Sequence, residues 1–407
     1  MRLNLSVLAG LLIASAVGAQ KATPEPRHYP HANEPIGTVR QMYDGALTPD
    51  LAVNTFRNID RLFPTRRVAS GGRVKPLPSS SHPLGTISFT DRGRPVTLEQ
   101  YVELNRVSGL LVLKDGAIAL ERYRYGNTRQ TRWMSMSIAK SITSTLIGAA
   151  LQQRRIGSLS DSVTSYARML SGSAYVGVSI RDLLTMSSGV GWNETYTDPA
   201  SDRRRLLEAQ IAGKRGAVMN VMRSLPRVAA PGTVNNYSTG DTQVAAEVVR
   251  AATGRTLSSY LSERIWRRYG MEADARWWLD SPGGIEIGGS GFSATLRDYG
   301  RFGLFMLDGG KANGTAMLPE GWTREATTPR PLRGGAAIPY GYFWWPGVTE
   351  EARRDEAYEA VGIFGQHLYI NPAQRIVIVV WSAQTMPTGG EVIDDWAFFD
   401  SVARAVR

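Results

Sequence analysis

Two residues, Ser137 and Lys140, combine types and a spacing that could carry out nucleophilic chemistry. Apolar residues recur at helical spacing between positions 138 and 151, which predicts a buried helix that begins near Ser137. Side chains three residues apart lie on one face of a helix, so the hydroxyl and the amine share its first turn. Unpaired backbone N–H groups at that end favour negative charge. A neutral lysine amine could therefore take the serine proton and leave an alkoxide-like nucleophile, without any histidine.

This serine–lysine pair is a short pattern that chance can produce, so competing kinds of site have to be weighed. The chain has no cysteine, which excludes a thiol nucleophile. Of its four histidines, His28, His31 and His82 lie before residue 86, and His367 lies in a predicted strand. No Gly-x-Ser-x-Gly segment is present, which argues against a Ser-His-Asp hydrolase. No group of His, Asp and Glu has the spacing of metal ligands, and we expect neither a metal nor a cofactor.

The composition is typical of a globular chain with a sizeable core. Of its 407 residues, 43% are hydrophobic and 20% are charged, unlike the balance of a disordered chain. Residues 1–19 are predicted to be a signal peptide, with Arg2 followed by an apolar run and by the small residues Val17-Gly18-Ala19. The run is too short to cross a bilayer, and no later segment is long enough. We therefore expect an exported, periplasmic or secreted protein with no stable membrane insertion.

The formal net charge of +11 raises the question of a polyanionic partner. The basic residues are mostly arginines scattered along the chain, and the one short run, Arg203-Arg204-Arg205, has no aromatic residues interleaved with it. This distribution is typical of a solvated basic surface and does not predict binding to nucleic acid. It is compatible with a weak attraction to anionic polymers of the cell envelope.

Apolar periodicity and turn residues predict strands towards both ends of the chain and helices between them. A hairpin is predicted at 109–125, around a Lys114-Asp115-Gly116 turn. Ser179 with Asp182 has the spacing of a capping box at the start of one of the intervening helices. The later elements are strands at 341–345, 360–370 and 375–382, helices at 241–253 and 256–269, and an amphipathic helix at 392–406.

This order predicts an α+β fold in which one antiparallel sheet, flanked by helices, is assembled from both ends of the chain. We divide the chain into a signal peptide (1–19), an N-terminal arm (20–85) and one main domain (86–407). Within this domain the sheet part covers about 100–140 and 335–407, and an inserted all-helical part covers about 141–334.

Five motifs, taken in order, point to a known family; they are Ser137-Ile138-Ala139-Lys140, 183–189 (LLTMSSG), 236–241 (NYSTGD), 288–293 (GGSGFS) and 362–366 (GIFGQ). Over about residues 100 to 405 the chain resembles the serine β-lactamase and penicillin-binding protein superfamily, and specifically its class C-like branch. Within that branch it resembles in particular the 6-aminohexanoate-dimer (nylon-oligomer) hydrolases and their carboxylesterase relatives. The segments that carry this finer similarity are 192–201 (WNETYTDPAS) and 362–366.

The resemblance implies a β-lactamase/transpeptidase-like fold with the active site in a groove between the sheet part and the helical part. It implies that Ser137 is the nucleophile, Lys140 its proton acceptor, and Tyr237 the residue that passes the proton to the leaving group. A tyrosine hydroxyl beside an ammonium group would be partly ionised, and could act first as a base and then as an acid. The structural alternatives are an N-cap serine for Ser137 and an ordinary buried tyrosine for Tyr237.

Two positions depart from the β-lactamase pattern. The family's Tyr-x-Asn is here Tyr237-Ser238-Thr239, so an amide that would contact a substrate carbonyl is missing. The family's Lys-Thr-Gly is here Ala360-Val361-Gly362, which lacks the cation that would hold a β-lactam carboxylate. Gly362 still permits a close approach of the backbone, and the N–H of Ile363 can pair with that of Ser137 as an oxyanion hole. We therefore expect general acyl transfer and poor β-lactam hydrolysis.

Aromatic residues on both sides of the groove are candidate substrate contacts. Trp192 and Tyr196 follow the LLTMSSG segment, and Trp344 and Trp345 precede the strand that carries Gly362. Trp192, Tyr196 and Trp345, with Gly362, predict a narrow apolar slot for an uncharged aliphatic or aryl acyl group. The alternative is that these aromatic residues pack in the core. Core packing is less expected for Trp192 than for Trp344 and Trp345, because Trp192 lies in a loop rich in glycine and polar residues.

These features together predict an exported serine hydrolase that cleaves amide or ester bonds of small molecules through an acyl-enzyme on Ser137. The alternatives left open are a D-amino-acid peptidase, a penicillin-binding-type enzyme, and a non-catalytic receptor that is acylated without turnover. The retained lysine and tyrosine favour an enzyme, because a receptor does not need the machinery of turnover. A burst of product followed by steady turnover of a p-nitrophenyl ester would distinguish an enzyme from a receptor.

Overall fold

The computed structural model describes residues 20–21, 29–335 and 337–407, and the predicted signal peptide lies outside these residues. The strands are β1 (Gln20–Lys21), β2 (Thr65–Val68), β3 (Arg73–Val74), β4 (Ser88–Asp91), β5 (Arg94–Thr97), β6 (Val107–Lys114), β7 (Ala117–Tyr123), β8 (Arg132–Met134), β9 (Ala275–Trp278), β10 (Phe292–Thr295), β11 (Lys311–Ala312), β12 (Thr315–Ala316), β13 (Trp345–Pro346), β14 (Tyr358–Gly362), β15 (Gln366–Asn371) and β16 (Ile376–Ser382). The α-helices are α1 (Val39–Tyr43), α2 (Pro49–Phe56), α3 (Leu98–Leu104), α4 (Ile138–Gln152), α5 (Val163–Tyr166), α6 (Ile180–Leu184), α7 (Asp202–Ile211), α8 (Ala217–Ser224), α9 (Thr239–Thr253), α10 (Leu257–Leu261), α11 (Arg267–Tyr269), α12 (Leu296–Leu307), α13 (Trp322–Thr327), α14 (Glu350–Arg354) and α15 (Asp395–Ala405).

The centre of the fold is an antiparallel sheet of six strands in the order β13-β14-β15-β16-β6-β7. The predicted hairpin is present as β6 and β7. Strand β6 also pairs with β16, with Val112 opposite Ile378, so strands from both ends of the chain meet in the middle of the sheet. The predicted α+β architecture, an antiparallel sheet flanked by helices, is confirmed.

Both faces of this sheet are buried, which explains the almost unbroken apolar runs of β6 and β16. Alternate residues of a strand point to opposite faces. Accordingly, Val377 and Val379 belong to the larger of two core clusters, and Ile378 and Val380 belong to the smaller one. Helices α3 and α15 and the β4–β5 hairpin close the smaller cluster. Helices α4, α9 and α12 contribute to the larger cluster.

A second sheet, of order β2-β9-β10-β8, leads the chain into helix α4. Strand β8 ends at Met134, and the helix begins a short turn later at Ile138. Part of the predicted N-terminal arm belongs to this sheet, because β2 pairs with β9. Helices α1 and α2 bury Tyr43 and Phe56 in the larger core cluster. The division of the chain into arm, sheet part and helical insert stays a prediction.

Four predicted elements differ from the structure in their geometry or by several residues in their bounds. The predicted strand 360–370 is two strands, β14 and β15, because the chain reverses at Phe364 and Gly365, with φ of 69° and 78°. Of the predicted strand 341–345 only Trp345 is paired, since Phe343 has φ of 61° and interrupts extended structure. The helix predicted at 256–269 contains a π-helical turn at Ser262–Trp266. The last helix begins at 395 and not at 392, because Asp394 caps it.

Candidate active site

Ser137 lies at the N-terminus of α4, directly after the turn that leaves β8. Met136 in this turn has φ of 42°, a left-handed conformation that costs free energy in a residue other than glycine. Ser137 occupies the N-cap position, yet its hydroxyl makes no capping hydrogen bond. The side chain lines a cavity and is available for the partners described next.

Lys140 lies one turn further along α4, and its buried amine contacts three oxygen atoms. The Nζ atom is 2.8 Å from Ser137 Oγ, 2.8 Å from Thr239 Oγ1 and 3.1 Å from the Gly289 carbonyl oxygen. Burial lowers the pKa of this amine to about 7, because the charged form has lost its water. At neutral pH a large fraction of Lys140 is therefore a neutral amine in contact with the serine hydroxyl.

Tyr237 lies just before α9 and lines the same cavity as Ser137, close enough for the serine hydroxyl to lower the pKa of its phenol. Its ring centroid is 5.2 Å from Lys140 Nζ, and Trp345 stacks on it with a centroid separation of 5.8 Å. Burial raises the pKa of the Tyr237 hydroxyl, and the negative charge of Glu194 raises it further. The partly ionised tyrosine expected from the sequence is therefore wrong. With its pKa raised, the phenol keeps its proton around pH 7.

Gly362 ends strand β14 beside the turn that carries Ser137. A Cβ atom at Gly362 would lie 2.3 Å from the Ser135 carbonyl oxygen, so only glycine permits this approach. Gly362, Ile363 and Ser137 line the same cavity. The backbone N–H groups of Ser137 and Ile363 remain the predicted oxyanion hole.

The turn between β14 and β15 is held in place by Gln366, a role that the sequence did not reveal. Trp133 Nε1, in strand β8, donates a hydrogen bond to Gln366 Oε1 at 2.8 Å. Gln366 Nε2 donates to the carbonyl oxygens of Phe364 and Ser382, both at 2.8 Å. The turn that carries Ile363 is thus tied to the strand that leads to the nucleophile.

A cavity of about 380 Å³ opens over Ser137, within the size range of small-molecule sites. Three of the predicted substrate contacts, Tyr196, Gly362 and Trp345, line it together with Tyr237. The remaining lining residues are Val361, Ile363, Gly365, His367, Gln384, Pro387, Thr388, Gly389, Glu391 and Asp395. The wall is therefore aromatic and apolar near the serine and becomes polar towards its far end.

Trp192, the fourth predicted substrate contact, is 8% exposed and belongs to the larger core cluster. A Cβ atom at Gly240 would lie 2.8 Å from its ring, so α9 packs closely against it. Trp344 is also fully buried. These placements favour core packing for both tryptophans, whereas Trp345 is the one that reaches the cavity.

Glu194 is a site residue that the sequence did not single out. Its Oε2 accepts the Thr239 backbone N–H at 2.9 Å, and its Oε1 lies 2.5 Å from Thr239 Oγ1. The indole N–H of Trp192 also donates to this carboxylate. Glu194 is connected to Lys140 through Thr239. The only signal for it was its place in the 192–201 segment, because nothing in the sequence relates position 194 to position 239.

His367, expected to be an ordinary strand histidine, forms two buried ion pairs at the far end of the cavity. Its Nδ1 lies 2.8 Å from Glu359 Oε2, and its Nε2 lies 3.1 Å from Asp395 Oδ2. Burial opposes the charge of the imidazole, but the two carboxylates outweigh burial and raise its pKa well above the ordinary value. Glu391 lies at the exposed rim nearby. With three carboxylates around one imidazole, this end of the cavity is acidic.

Within residues 29–335 and 337–407, no group of three or more His, Cys, Asp or Glu side chains is arranged to hold a metal ion. Across the same described residues, no helix has the length and the apolar character that crossing a membrane requires.

The chain and its fold belong to a known family. The family model described as Beta-lactamase matches residues 97–402, three quarters of the chain, so the chain belongs to the β-lactamase family. The resemblance stated from the sequence motifs is therefore confirmed.

Two of the relatives bear the name of one enzyme. A 6-aminohexanoate-dimer hydrolase from Paenarthrobacter ureafaciens is 30% identical over 348 residues, which cover 82% of this chain and 85% of that protein. A provisionally named 6-aminohexanoate-dimer hydrolase from Bacillus anthracis has a similar structure, with a TM-score of 0.76, 25% sequence identity, and coverage of 86% of this chain and 92% of that chain. A D-aminopeptidase from Brucella anthropi is 26% identical over 262 residues, which cover 57% of this chain and 47% of that protein. The chain is thus a hydrolase of the β-lactamase family that is related to 6-aminohexanoate-dimer hydrolase.

Proposed function

We propose that this protein is a serine hydrolase that cleaves amide or ester bonds of small molecules through an acyl-enzyme on Ser137. The observation that carries the proposal is the 2.8 Å contact between the Lys140 amine and the Ser137 hydroxyl, in a buried site where the pKa of the amine is about 7. Only a neutral amine can accept a proton, and at this distance it can take the proton directly from the hydroxyl.

In acylation, Lys140 takes the Ser137 proton while Oγ forms a bond to the carbonyl carbon of the substrate. One electron pair of the C=O bond moves onto its oxygen, where the N–H groups of Ser137 and Ile363 stabilise the charge. When this intermediate collapses, the bond to the leaving nitrogen or oxygen breaks and Tyr237 donates its proton to that atom. The proton on Lys140 then passes to Tyr237, so both residues return to their starting forms.

In deacylation, a water molecule takes the place of the leaving group. Its proton moves to Tyr237 while the Tyr237 proton moves to Lys140, and the water oxygen forms a bond to the acyl carbon. Collapse of the second intermediate breaks the bond to Ser137 Oγ, which takes the proton back from Lys140. The products are the free acid and the original enzyme.

The size and the lining of the cavity favour small substrates with an apolar chain. Tyr196, Tyr237 and Trp345 form an aromatic wall beside Ser137, which suits an aliphatic chain or an aryl ring. The relative from Paenarthrobacter ureafaciens is named as a hydrolase of 6-aminohexanoate dimer, which is a linear aliphatic amide. We therefore propose linear aliphatic amides, together with simple esters, as the substrates of this chain.

Ser137→Ala tests the function, because it removes the nucleophile and leaves the rest of the helix unchanged. We expect wild-type protein to release a burst of nitrophenolate from p-nitrophenyl butyrate, to carry a butyryl group detectable by mass spectrometry, and to continue turning over. The variant should show neither burst nor turnover. Loss of an N-cap would cost only about 1 kcal/mol of stability, so the variant should still fold.

The matched control is Ser144→Ala on the same helix, where the buried serine hydroxyl has no hydrogen-bond partner among the described residues. This variant should retain wild-type activity. Activity of Ser137→Ala close to that of wild type, with similar melting behaviour, would disprove the proposed function. A burst without turnover in the wild type would favour the receptor alternative.

A second candidate function, hydrolysis of substrates with a free amino group, is favoured by the acidic far end of the cavity. Glu391 and Asp395 would attract an ammonium group and repel a carboxylate. The Brucella anthropi relative is named as a D-aminopeptidase. We expect D-alanine p-nitroanilide to be cleaved faster than its N-acetyl derivative if this candidate is correct. Equal rates, or faster cleavage of the acetylated compound, would exclude it.

We further propose that the protein is exported, on the basis of the signal peptide predicted at residues 1–19. Expression of the complete chain in a Gram-negative host should give a mature protein that begins at Gln20 and is found in the periplasmic fraction. Recovery of the uncleaved chain from the cytoplasm alone would contradict export.

A further inference from the structure

The carboxylate of Glu194 decides where the Thr239 hydroxyl points. Its Oε1 lies 2.5 Å from Thr239 Oγ1, and its Oε2 accepts the Thr239 backbone N–H at 2.9 Å. An ionised carboxylate can only accept hydrogen bonds, so the hydroxyl must donate its proton to Glu194. The lone pairs of Thr239 Oγ1 are then directed away from Glu194, towards the Lys140 amine 2.8 Å away.

This orientation determines what the Lys140 amine can do. Thr239 Oγ1 and the Gly289 carbonyl oxygen, at 2.8 and 3.1 Å, both act as acceptors towards Nζ. A neutral amine has two N–H groups and one lone pair, and these two acceptors use both N–H groups. The third neighbour, Ser137 Oγ at 2.8 Å, therefore meets the lone pair. In this arrangement the serine hydroxyl donates to the amine, as proton transfer requires.

We propose that Glu194 and Thr239 are positioning residues, which together direct the lone pair of neutral Lys140 onto the Ser137 hydroxyl. The inference rests on the proposed function, in which Lys140 is the base. It assigns a role to Thr239, which occupies the position where the family's Tyr-x-Asn pattern has an asparagine. It also gives the 192–201 segment a part in catalysis that does not require contact with substrate.

Glu194 also acts on Lys140 through its charge. The ionisable groups that face the amine are Glu194 from the 192–201 segment, Arg203 from α7 and Tyr237 from the segment before α9. Burial lowers the pKa of Lys140 most, Glu194 opposes this lowering, and Arg203 adds to it. Removal of the Glu194 charge should therefore lower the pKa of Lys140 further. A residue that only held the segment in place would leave that pKa unchanged.

Thr239→Val and Thr239→Ser form a matched pair that tests the hydroxyl. Valine keeps the shape of threonine but offers no acceptor to Lys140, whereas serine keeps the acceptor and loses only a methyl group. With p-nitrophenyl butyrate, we expect Thr239→Val to lower kcat by about 10- to 100-fold, a part of what a positioned base contributes. KM should change by less than about twofold, and Thr239→Ser should stay within about threefold of wild type. Equal activity of the two variants would overturn the proposal.

Glu194→Gln tests the charge, with the pH profile as the readout. We expect the plateau of kcat to fall by about tenfold or more and the acidic limb of the profile to move to lower pH. A lower plateau with an unmoved limb would mean a structural role only, and an unchanged profile would exclude any role. Both outcomes would overturn the proposal. Ser137→Ala, measured in parallel, separates this failure from failure of the proposed function, because it must be inactive whatever Glu194 does.

Discussion

Lys140 sets the pH range in which the proposed reaction can run, because only its neutral amine accepts the serine proton. Burial brings its pKa from 10.5, the ordinary value, to about 7. Below pH 7 the amine is mostly protonated and Ser137 has no base. Above pH 7 the amine is neutral, while burial keeps the Tyr237 hydroxyl protonated for its role as donor. The two residues are therefore in their working forms over the same range of mildly basic pH.

We predict that kcat/KM for p-nitrophenyl butyrate rises by about tenfold per pH unit below an apparent pKa near 7 and is flat above it. Lys140→Arg should be inactive from about pH 6 to about pH 9, because a guanidinium stays protonated throughout this range. A pH-rate profile of both proteins, limited to pH values at which circular dichroism shows an intact fold, is the measurement. Activity in the arginine variant, or a limb near the ordinary lysine pKa, would contradict the assignment of the base.

The contact between site residues that the sequence predicted correctly is one formed within a single helix. Ser137 and Lys140 are neighbours because they are three apart on α4, which periodicity alone reveals. Glu194 and Thr239 meet only after the loop folds onto the start of α9, and no local pattern records that contact. The ionisation of Tyr237 was mispredicted for a related reason. Its pKa depends on burial, and burial is a property of the whole surrounding structure.

At the scale of elements, the end of β14 and the turn before α4 have to touch for the site to form. Gly362 makes this contact possible, since even a methyl group there would lie 2.3 Å from the Ser135 carbonyl oxygen. The side chain of Gln366 then joins the following turn to Trp133 in β8. The N–H of Ile363 is thus positioned by two strands that belong to different sheets.

We predict that Gly362→Ala lowers kcat by about 10²–10³-fold, the loss expected when one donor of an oxyanion hole is displaced. The added methyl group should push Ile363 away from Ser137. Gly85→Ala is the control, because no atom lies within 4 Å of a Cβ atom placed there, and it should behave like wild type. Steady-state kinetics with p-nitrophenyl butyrate will decide. Wild-type kinetics of a folded Gly362→Ala protein would remove Ile363 from the proposed mechanism.

Trp192 and Trp345 should respond differently to removal of their side chains. Trp192→Ala should lower the free energy of unfolding by about 3–5 kcal/mol, because it empties a tryptophan site in the core. Trp345→Ala should cost less stability and should change the preference among acyl chain lengths, because this ring lines the cavity and stacks on Tyr237. Urea unfolding and kcat/KM for p-nitrophenyl esters from acetate to octanoate measure both. A changed chain-length preference in Trp192→Ala, with little loss of stability, would restore Trp192 to the cavity wall.

Aromatic runs explain why some strands could not be predicted. The run at 342–345, Tyr-Phe-Trp-Trp, has the composition of a strand, but Phe343 is in a left-handed conformation and only Trp345 pairs with β14. Tyr342, Phe343 and Trp344 are all less than 2% exposed, so their aromatic side chains serve packing in the core and do not indicate a strand. In contrast, β6 and β16 combine β-branched and leucine residues with clear turns, and their strands were predicted close to their observed bounds.

The molecule as a whole is basic, with a net charge of +11, yet its cavity is acidic at one end. Glu359 and Asp395 form ion pairs with His367 there, and Glu391 lines the same cavity. Next to Glu359 in β14, Ala360 stands where the family pattern has a lysine. The basic surface therefore says little about the substrate, and the carboxylates at this end of the cavity disfavour an anionic one.

We predict that nitrocefin, a β-lactam with a carboxylate, is hydrolysed at least tenfold more slowly than p-nitrophenyl butyrate when kcat/KM values are compared. A charge-assisted hydrogen bond to a carboxylate contributes about 1.5–3 kcal/mol, and this chain lacks the lysine that would make it. Repulsion from Glu391 adds to the loss, so Glu391→Gln should improve nitrocefin turnover and leave the neutral ester unaffected. Nitrocefin turnover that rivals ester turnover would show that another residue binds the carboxylate.

The pairing of β6 with β16 has a consequence for the order in which the protein becomes active. Leu113 in β6 and Val377 in β16 lie opposite each other in the sheet. Strand β6 is synthesised early and cannot pair until β16 has been synthesised near the end of the chain. Such distant pairings form late in folding, because a long loop has to close before they gain anything. The turn that carries Ile363, one of the two donors of the proposed oxyanion hole, lies between β14 and β15, which are also made late. An incomplete chain therefore contains Ser137 and Lys140 before the strands that complete the proposed site exist, and we expect it to be inactive towards esters.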